Sequence, residues 1–256
     1  MSTATSVGRL MVVVPARDEE ALLERCLDAV NLAVDTVRGS RRDLPVAVVV
    51  VADRCLDRTA DLARHVGAHV VEIDEGCVGA ARRAGVDAGT ALLAPARMDQ
   101  TWVASTDADS RVPPAWLDHQ VGLASRGARL VIGHAVPDRR DIDPTTWTRW
   151  RRRHTSTSVG AHIHGANLGF RLDDYDAAGG WPLMREHEDR HLVTALLSAG
   201  VPAAAGLDVV TSGRLKGRVP GGFSGYLRKI NGSRRPASSA PTEPPAGYLD
   251  PGLQQA

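Results

Sequence analysis

The chain has 256 residues, 43% of them hydrophobic and 24% charged, with a formal net charge of +1. That length suits one large domain with its own core, and the near-neutral balance argues against a strongly basic nucleic-acid binder. Its three cysteines include no Cys-x-x-Cys pair, which argues against a disulfide framework or a structural zinc site and for a reducing, cytoplasmic setting.

Residues 1–8 read as a flexible start. Leu10–Val14 is an apolar, valine-rich run closed by Pro15, and Asp18-Glu19-Glu20 then opens a helical spacing through Leu22, Leu23, Cys26 and Val30. Val46–Val51 predicts a second strand that ends at Asp53, followed by a helix over about 57–65 and a third strand over 68–73. Gly76–Gly89 reads as a loop entering a helix. Trp102–Ser110 is the most informative stretch: an apolar strand that stops at Asp107 and Asp109, with Pro113 and Pro114 barring its continuation. A helix over 116–123 and a strand over 128–135 follow. Strands and helices alternating in this way predict an α/β fold with a mainly parallel sheet and right-handed crossovers.

The pattern then changes. Trp147–Arg153 is basic and aromatic, residues 155–158 form a hydroxyl cluster, and Gly165–Phe170 is a strand punctuated by glycine. Glu188 and Asp189 sit at the start of a helix that runs through Leu192 and Leu196 and is closed by Gly200 and Pro202. From residue 231 onward Ser, Pro, Gly and Ala dominate, which predicts a disordered tail. No apolar run approaches the roughly 18 residues that span a bilayer, so no transmembrane segment is expected and only peripheral membrane contact stays open.

Two aspartates at i and i+2 beyond the carboxyl end of a buried strand suit one hard cation, which usually serves phosphate oxygens. The same residues are ordinary turn formers. Glu19 and the Glu188-Asp189 pair would also suit helix N-termini, Asp53 a turn, and Arg82 an exposed helix face. His187-Glu188-Asp189-Arg190-His191 spells the His-Glu-x-x-His pattern of zinc hydrolases. No histidine follows His191, and the residues between are polar. The basic run reads as a solvated helix face or a lip over an acceptor site rather than a nucleic-acid surface.

Taken in order, these pieces resemble glycosyltransferase family 2, the nucleotide-sugar-dependent enzymes of the GT-A fold, over roughly residues 9–230. Val14-Pro15-Ala16-Arg17-Asp18-Glu19-Glu20 is similar to the family's opening loop, and Val51-Ala52-Asp53-Arg54-Cys55-Leu56-Asp57-Arg58-Thr59 to its nucleoside-contacting segment. Gly79-Ala80-Ala81-Arg82-Arg83-Ala84-Gly85 resembles its glycine-bounded Arg-Asn-x-Gly loop, with Arg83 in place of Asn. Thr106–Leu117 carries the acidic pair, and Gly165–Arg171, Gly179-Gly180-Trp181 and Glu188-Asp189 resemble the acceptor half.

The resemblance implies a single domain with a donor half over about 9–135 and an acceptor half over about 136–230. It implies a UDP- or GDP-type sugar donor bound by Pro15, Glu19, Asp53, Arg82, Asp107 and Ala108. A Mg²⁺ or Mn²⁺ ion held by Asp107 and Asp109, Asp189 as general base, and one sugar passed to an acceptor hydroxyl with inversion are also implied. Two departures keep a non-catalytic nucleotide- or partner-binding homologue open. Ala52 replaces the family's first aspartate, and Thr211, Ser212 and Arg214 lie where many GT-A enzymes supply a late histidine to the metal.

Overall fold

The structure is a computed structural model that describes residues 6–95, 97–154, 162–217 and 221–232. The hydroxyl cluster at 155–158, the first five residues and the tail from 233 lie outside the described residues. A sheet of seven strands runs through the middle, in the order β3 (His69–Ile73), β2 (Val46–Asp53), β1 (Arg9–Ala16), β4 (Thr101–Ser105), β8 (Leu168–Arg171), β6 (Leu130–Ile132) and β9 (Ala203–Ala205). β3, β2, β1 and β4 are parallel, and only β8 runs against its neighbours. The mainly parallel sheet flanked by helices is therefore the architecture expected.

Alternation along β1 explains the two faces. Leu10, Val12 and Val14 pack with Leu27 and Val30 of α1 (Leu23–Ser40) and with Trp116 and Leu117 of α4 (Trp116–Ser125). Met11 and Val13 point the other way, toward Val86 of α3 (Val78–Leu92) and Leu192 and Leu196 of α7 (Glu188–Ser198). Successive strand side chains face opposite sides, so a fully apolar run marks a strand buried on both. α2 (Thr59–His65) covers the first face with Ala63, and α6 (Leu172–Ala177) adds Tyr175 to the second.

Three details depart from the sequence expectation. The segment Asp18–Glu20 does not begin α1; Asp18 has φ of +46° and the main-chain carbonyl of Glu19 closes a turn by accepting from Leu22 and Leu23. β1 runs past Pro15 to Ala16, because its ladder to β4 ends at Val13 and only the β2 side continues. The expected strand over 128–135 is split into β6 and β7 (Ala135–Pro137), which belong to different sheets. Gly133 stands at the break, where a Cβ would lie 2.3 Å from Asn167 Nδ2 and 2.6 Å from the Leu207 carbonyl.

The second sheet has three strands, β5 (Ser110–Arg111), β10 (Val209–Thr211) and β7. Its β5–β10 pairing brings Thr211 and the residues after it against Asp109, about a hundred positions earlier in the chain. α5 (Pro144–Arg153) is capped by Asp143, whose carboxylate accepts from the amides of Thr145 and Thr146. The basic run of α5 is amphipathic: Trp150 is buried with Leu227 and Ile230 of α8 (Phe223–Gly232), while Arg151, Arg152 and Arg153 face outward. Among the described residues no helix is long and apolar enough to cross a membrane.

A close helix–sheet approach sits at Gly85 of α3. A Cβ there would lie 2.4 Å from Val13 Cγ1 and 3.1 Å from Val51 Cγ2. Alanine would gain about 1 kcal/mol of helix propensity, but valine is stiff about χ1 and overpacking costs about 1–3 kcal/mol. Gly85→Ala is therefore expected to lower stability by up to about 2 kcal/mol net, read from the urea midpoint at unchanged slope.

Candidate active site

The carboxyl ends of β1, β2 and β4 open onto one cavity of about 450 Å³. Pro15, Glu19, Asp53, Arg82, Asp107, Ala108, Asp109 and Asp189, all singled out from the sequence, line it together. The cavity thus lies at the carboxyl edge where α/β sheets bind ligands. α8 contributes Phe223 and Tyr226 to the same wall.

Arg82 lies at the centre and, far from being an exposed helix residue, is only 2% exposed. Its Nη1 donates to Ser105 Oγ at 2.5 Å and to the Gly165 carbonyl at 2.9 Å. Nη2 donates to Asp107 Oδ1 at 2.6 Å, and Nε to Glu188 Oε1 at 3.2 Å. The guanidinium also lies over the Trp181 ring, 5.1 Å from its centroid. Burial works against its charge, but Asp107 and Glu188 outweigh that and raise its pKa. Glu188, also buried, is pushed up by desolvation, which Arg82 partly offsets. Its neighbour Arg83 donates to the carbonyls of Gly179 and Trp181 and so fixes the turn that carries the tryptophan.

Asp107 and Asp109 follow β4 on a tight turn in which Ser110 donates its amide to the Asp107 carbonyl. Asp109 Oδ1 accepts from Thr211 Oγ1 at 3.2 Å, and Oδ2 lies 2.9 Å from Arg214 Nη2. Burial, and then the charge of Asp107, push the Asp109 carboxyl up to about 6, with Arg214 pulling it back. Arg214 also grips Glu19 with both ends of its fork, Nη1 to Oε2 at 2.9 Å and Nη2 to Oε1 at 2.5 Å. Asp53 accepts three main-chain amides, from Glu75, Gly76 and Cys77 at 2.7–2.9 Å, and so holds the loop before α3 against the cavity.

In the same cavity Asp189 Oδ2 accepts from the Gly165 amide at 2.8 Å and Oδ1 from the Arg190 amide at 2.7 Å. Gly165 thus links two site residues: its carbonyl binds Arg82 and its amide binds Asp189. A Cβ at Gly165 would lie 2.3 Å from Arg82 Nη2, so the close approach requires glycine.

The His-Glu-x-x-His reading fails on geometry. His187 precedes α7 with φ of +68°, and the Glu188 carboxylate is turned to Arg82. Among the described residues the group of three able to converge on a metal is Asp18, Cys55 and Asp57, not His187, Glu188 and His191. Oxygen donors from Asp107 and Asp109 suit a hard cation that completes its shell with water and phosphate oxygens. Their chemistry fits Mg²⁺ or Mn²⁺.

The family model for glycosyl transferase family 2 matches residues 11–190. The chain belongs to glycosyl transferase family 2. This family 2 protein is 30% identical over 155 residues to a dolichyl-phosphate hexose transferase of Haloferax volcanii, a match covering 58% of the chain and 60% of that relative. It thus spans less than two thirds of the curated relative's length. Among solved structures, glucosyl-3-phosphoglycerate synthase from Mycobacterium tuberculosis in complex with Mn²⁺, UDP and phosphoglyceric acid superposes with a TM-score of 0.51 at 17% identity, over 87% of this chain and 76% of that one. A mannosyltransferase from Pyrobaculum calidifontis in complex with GDP-Man and Mn²⁺ gives 0.52 at 23%, over 80% and 56%. The family 2 protein therefore has the GT-A fold.

The contacts of two site residues escaped the sequence reading. Glu188 carries a helix-start, a His-Glu-x-x-His and an acceptor-half reading in the sequence, but none of them gives its buried pairing with Arg82, which joins positions 106 apart. Arg214 lies in the segment noted for its lack of histidine, and only the β5–β10 pairing brings it to Asp109.

His164, next to Gly165, supplies the pH prediction. Its Nε2 is buried without a hydrogen-bond partner among the described residues, and burial lowers its pKa to about 4 from 6.5. The unfolded chain takes up a proton near 6.5 and the folded one only near 4, so acidification through that window favours unfolding. Relative to His164→Gln, the wild-type chain should lose about 1–3 kcal/mol of stability between pH 7 and pH 4, measured by urea titration.

Proposed function

We propose that this protein transfers a single hexose from a UDP- or GDP-sugar to an acceptor hydroxyl, with inversion. The observation that carries this reading is one cavity lined by both the acidic pair and Asp189, which are connected through Arg82 and Gly165. The relatives that bind UDP or GDP-Man with Mn²⁺ support the donor class.

Mg²⁺ or Mn²⁺, held by Asp107 and Asp109, would stabilise the negative charge that develops on the diphosphate as it leaves. In the donor half, Pro15, Glu19, Asp53 and Ala108 form the nucleotide wall, and Asp53 shapes it through the amides it holds. Arg82, tied to Asp107, keeps that carboxylate aimed into the cavity. In the acceptor half, Asp189 accepts the proton of the attacking hydroxyl as its oxygen bonds to the anomeric carbon and the bond from that carbon to the diphosphate oxygen breaks. One such displacement inverts the anomeric centre. The Gly165 and Arg190 amides fix the orientation of the Asp189 side chain in the cavity.

A non-catalytic homologue would have no need of Asp189 beside an intact acidic pair. The discriminating test offers UDP-glucose and GDP-mannose with Mn²⁺ to the protein, each with 3-phosphoglycerate as the hydroxyl-bearing acceptor probe, and follows hexose transfer and nucleotide affinity together. Asp189→Asn should lower turnover by about 10²–10⁴-fold, the usual contribution of a general base, and leave nucleotide affinity within about threefold, a change of under 1 kcal/mol. Equal loss of affinity and turnover would contradict the assigned base.

A further inference from the structure

Both proposed metal ligands are paired with an arginine: Arg82 takes one oxygen of Asp107, but Arg214 and Thr211 between them take both oxygens of Asp109. A hard cation at the acidic pair needs oxygen lone pairs of Asp109. Both Asp109 oxygens are already engaged, Oδ1 by the Thr211 hydroxyl and Oδ2 by Arg214. A guanidinium and a divalent ion repel each other and would compete for the same oxygen. The hydroxyl can rotate aside, whereas the arginine is held by a second attachment, its two-pronged contact with Glu19.

That second attachment lets the side chain release Asp109 without leaving the site. Were Nη2 to leave Asp109 Oδ2 and Glu19 Oε1, Nη1 would still hold Glu19 Oε2, and the freed end would face the cavity that both residues line. Entry of a metal ion alone would leave that end of the guanidinium without the acid it had neutralised. Entry of a diphosphate with the metal would give it a new anionic partner, and arginine forks match phosphate oxygens well.

We propose that Arg214 is an exchangeable counter-cation that couples the two ligands: it keeps free divalent metal off Asp109 and moves to the donor's diphosphate when metal and nucleotide arrive together. This rests on the transferase reading above. Because coupling between two ligands is reciprocal, nucleotide should strengthen metal binding as much as metal strengthens nucleotide binding. Removing the guanidinium should shift the two affinities in opposite directions, which general damage to the site would not do.

The test is Mn²⁺ binding, followed by the electron paramagnetic resonance signal of the free ion, with and without UDP or GDP. Wild-type protein is compared with Arg214→Ala and Arg214→Gln, each checked for a cooperative thermal transition. Wild type should bind Mn²⁺ weakly alone and about tenfold more tightly with one of the nucleotides, within the usual range of coupling between sites. Both variants should bind Mn²⁺ alone about tenfold more tightly than wild type and lose most of the nucleotide enhancement. Variants that bind Mn²⁺ alone no more tightly than wild type overturn the proposal and leave the transferase reading standing. Failure of both nucleotides to strengthen Mn²⁺ binding to wild type overturns the transferase reading and the coupling with it.

Discussion

The site depends on crowding several carboxylates into one cavity and balancing them with two arginines. Glu19, Asp107, Asp109, Glu188 and Asp189 line the same 450 Å³ space. Unpaired, such a cluster would resist ionisation and folding, because burial and mutual repulsion both penalise the charged forms. Arg82 answers Asp107 and Glu188, and Arg214 answers Glu19 and Asp109. Asp109 remains the least compensated of the acids whose shift is resolved, with its pKa pushed up to about 6. An incoming cation would relieve that residual negative charge.

The two arginines differ in how firmly they are held. Arg82 is 2% exposed, makes four hydrogen bonds and stacks on Trp181, so its removal would leave Glu188 buried beside no cation. Arg214 has 33% side-chain exposure and sits on the loop after β10. A rigid inner cation and a more accessible outer one divide the work: the first preserves the shape of the acidic pair, and the second has room to exchange partners. Site residues kept in uncomfortable electrostatic surroundings are characteristic of ligand-binding centres.

Much of this was legible in the sequence because strong local rules agreed. Apolar runs of β-branched residues identified β1, β2 and β4, and their ends placed Pro15, Asp53 and Asp107 on one edge. The departures came from long-range pairing. Nothing local says that the run 128–135 must break at Gly133, since the reason is the Asn167 side chain pressing on that position. Glu19 looked like the start of a helix, but the left-handed Asp18 puts it on a loop facing Arg214. The Gly79–Gly85 motif singled out Arg82 as a donor contact, but its role as the hub depends on the arrival of β4, Gly165 and α7 around it.

The most direct measurement is a crystal structure with Mn²⁺ and UDP or GDP bound, located by the anomalous signal of the metal. The account predicts a manganese peak on the Asp107–Asp109 pair, with the diphosphate beside it and the nucleoside against Pro15, Glu19 and Asp53. A peak on His187 and His191 or on Asp18, Cys55 and Asp57, or a nucleotide bound away from this cavity, would contradict it.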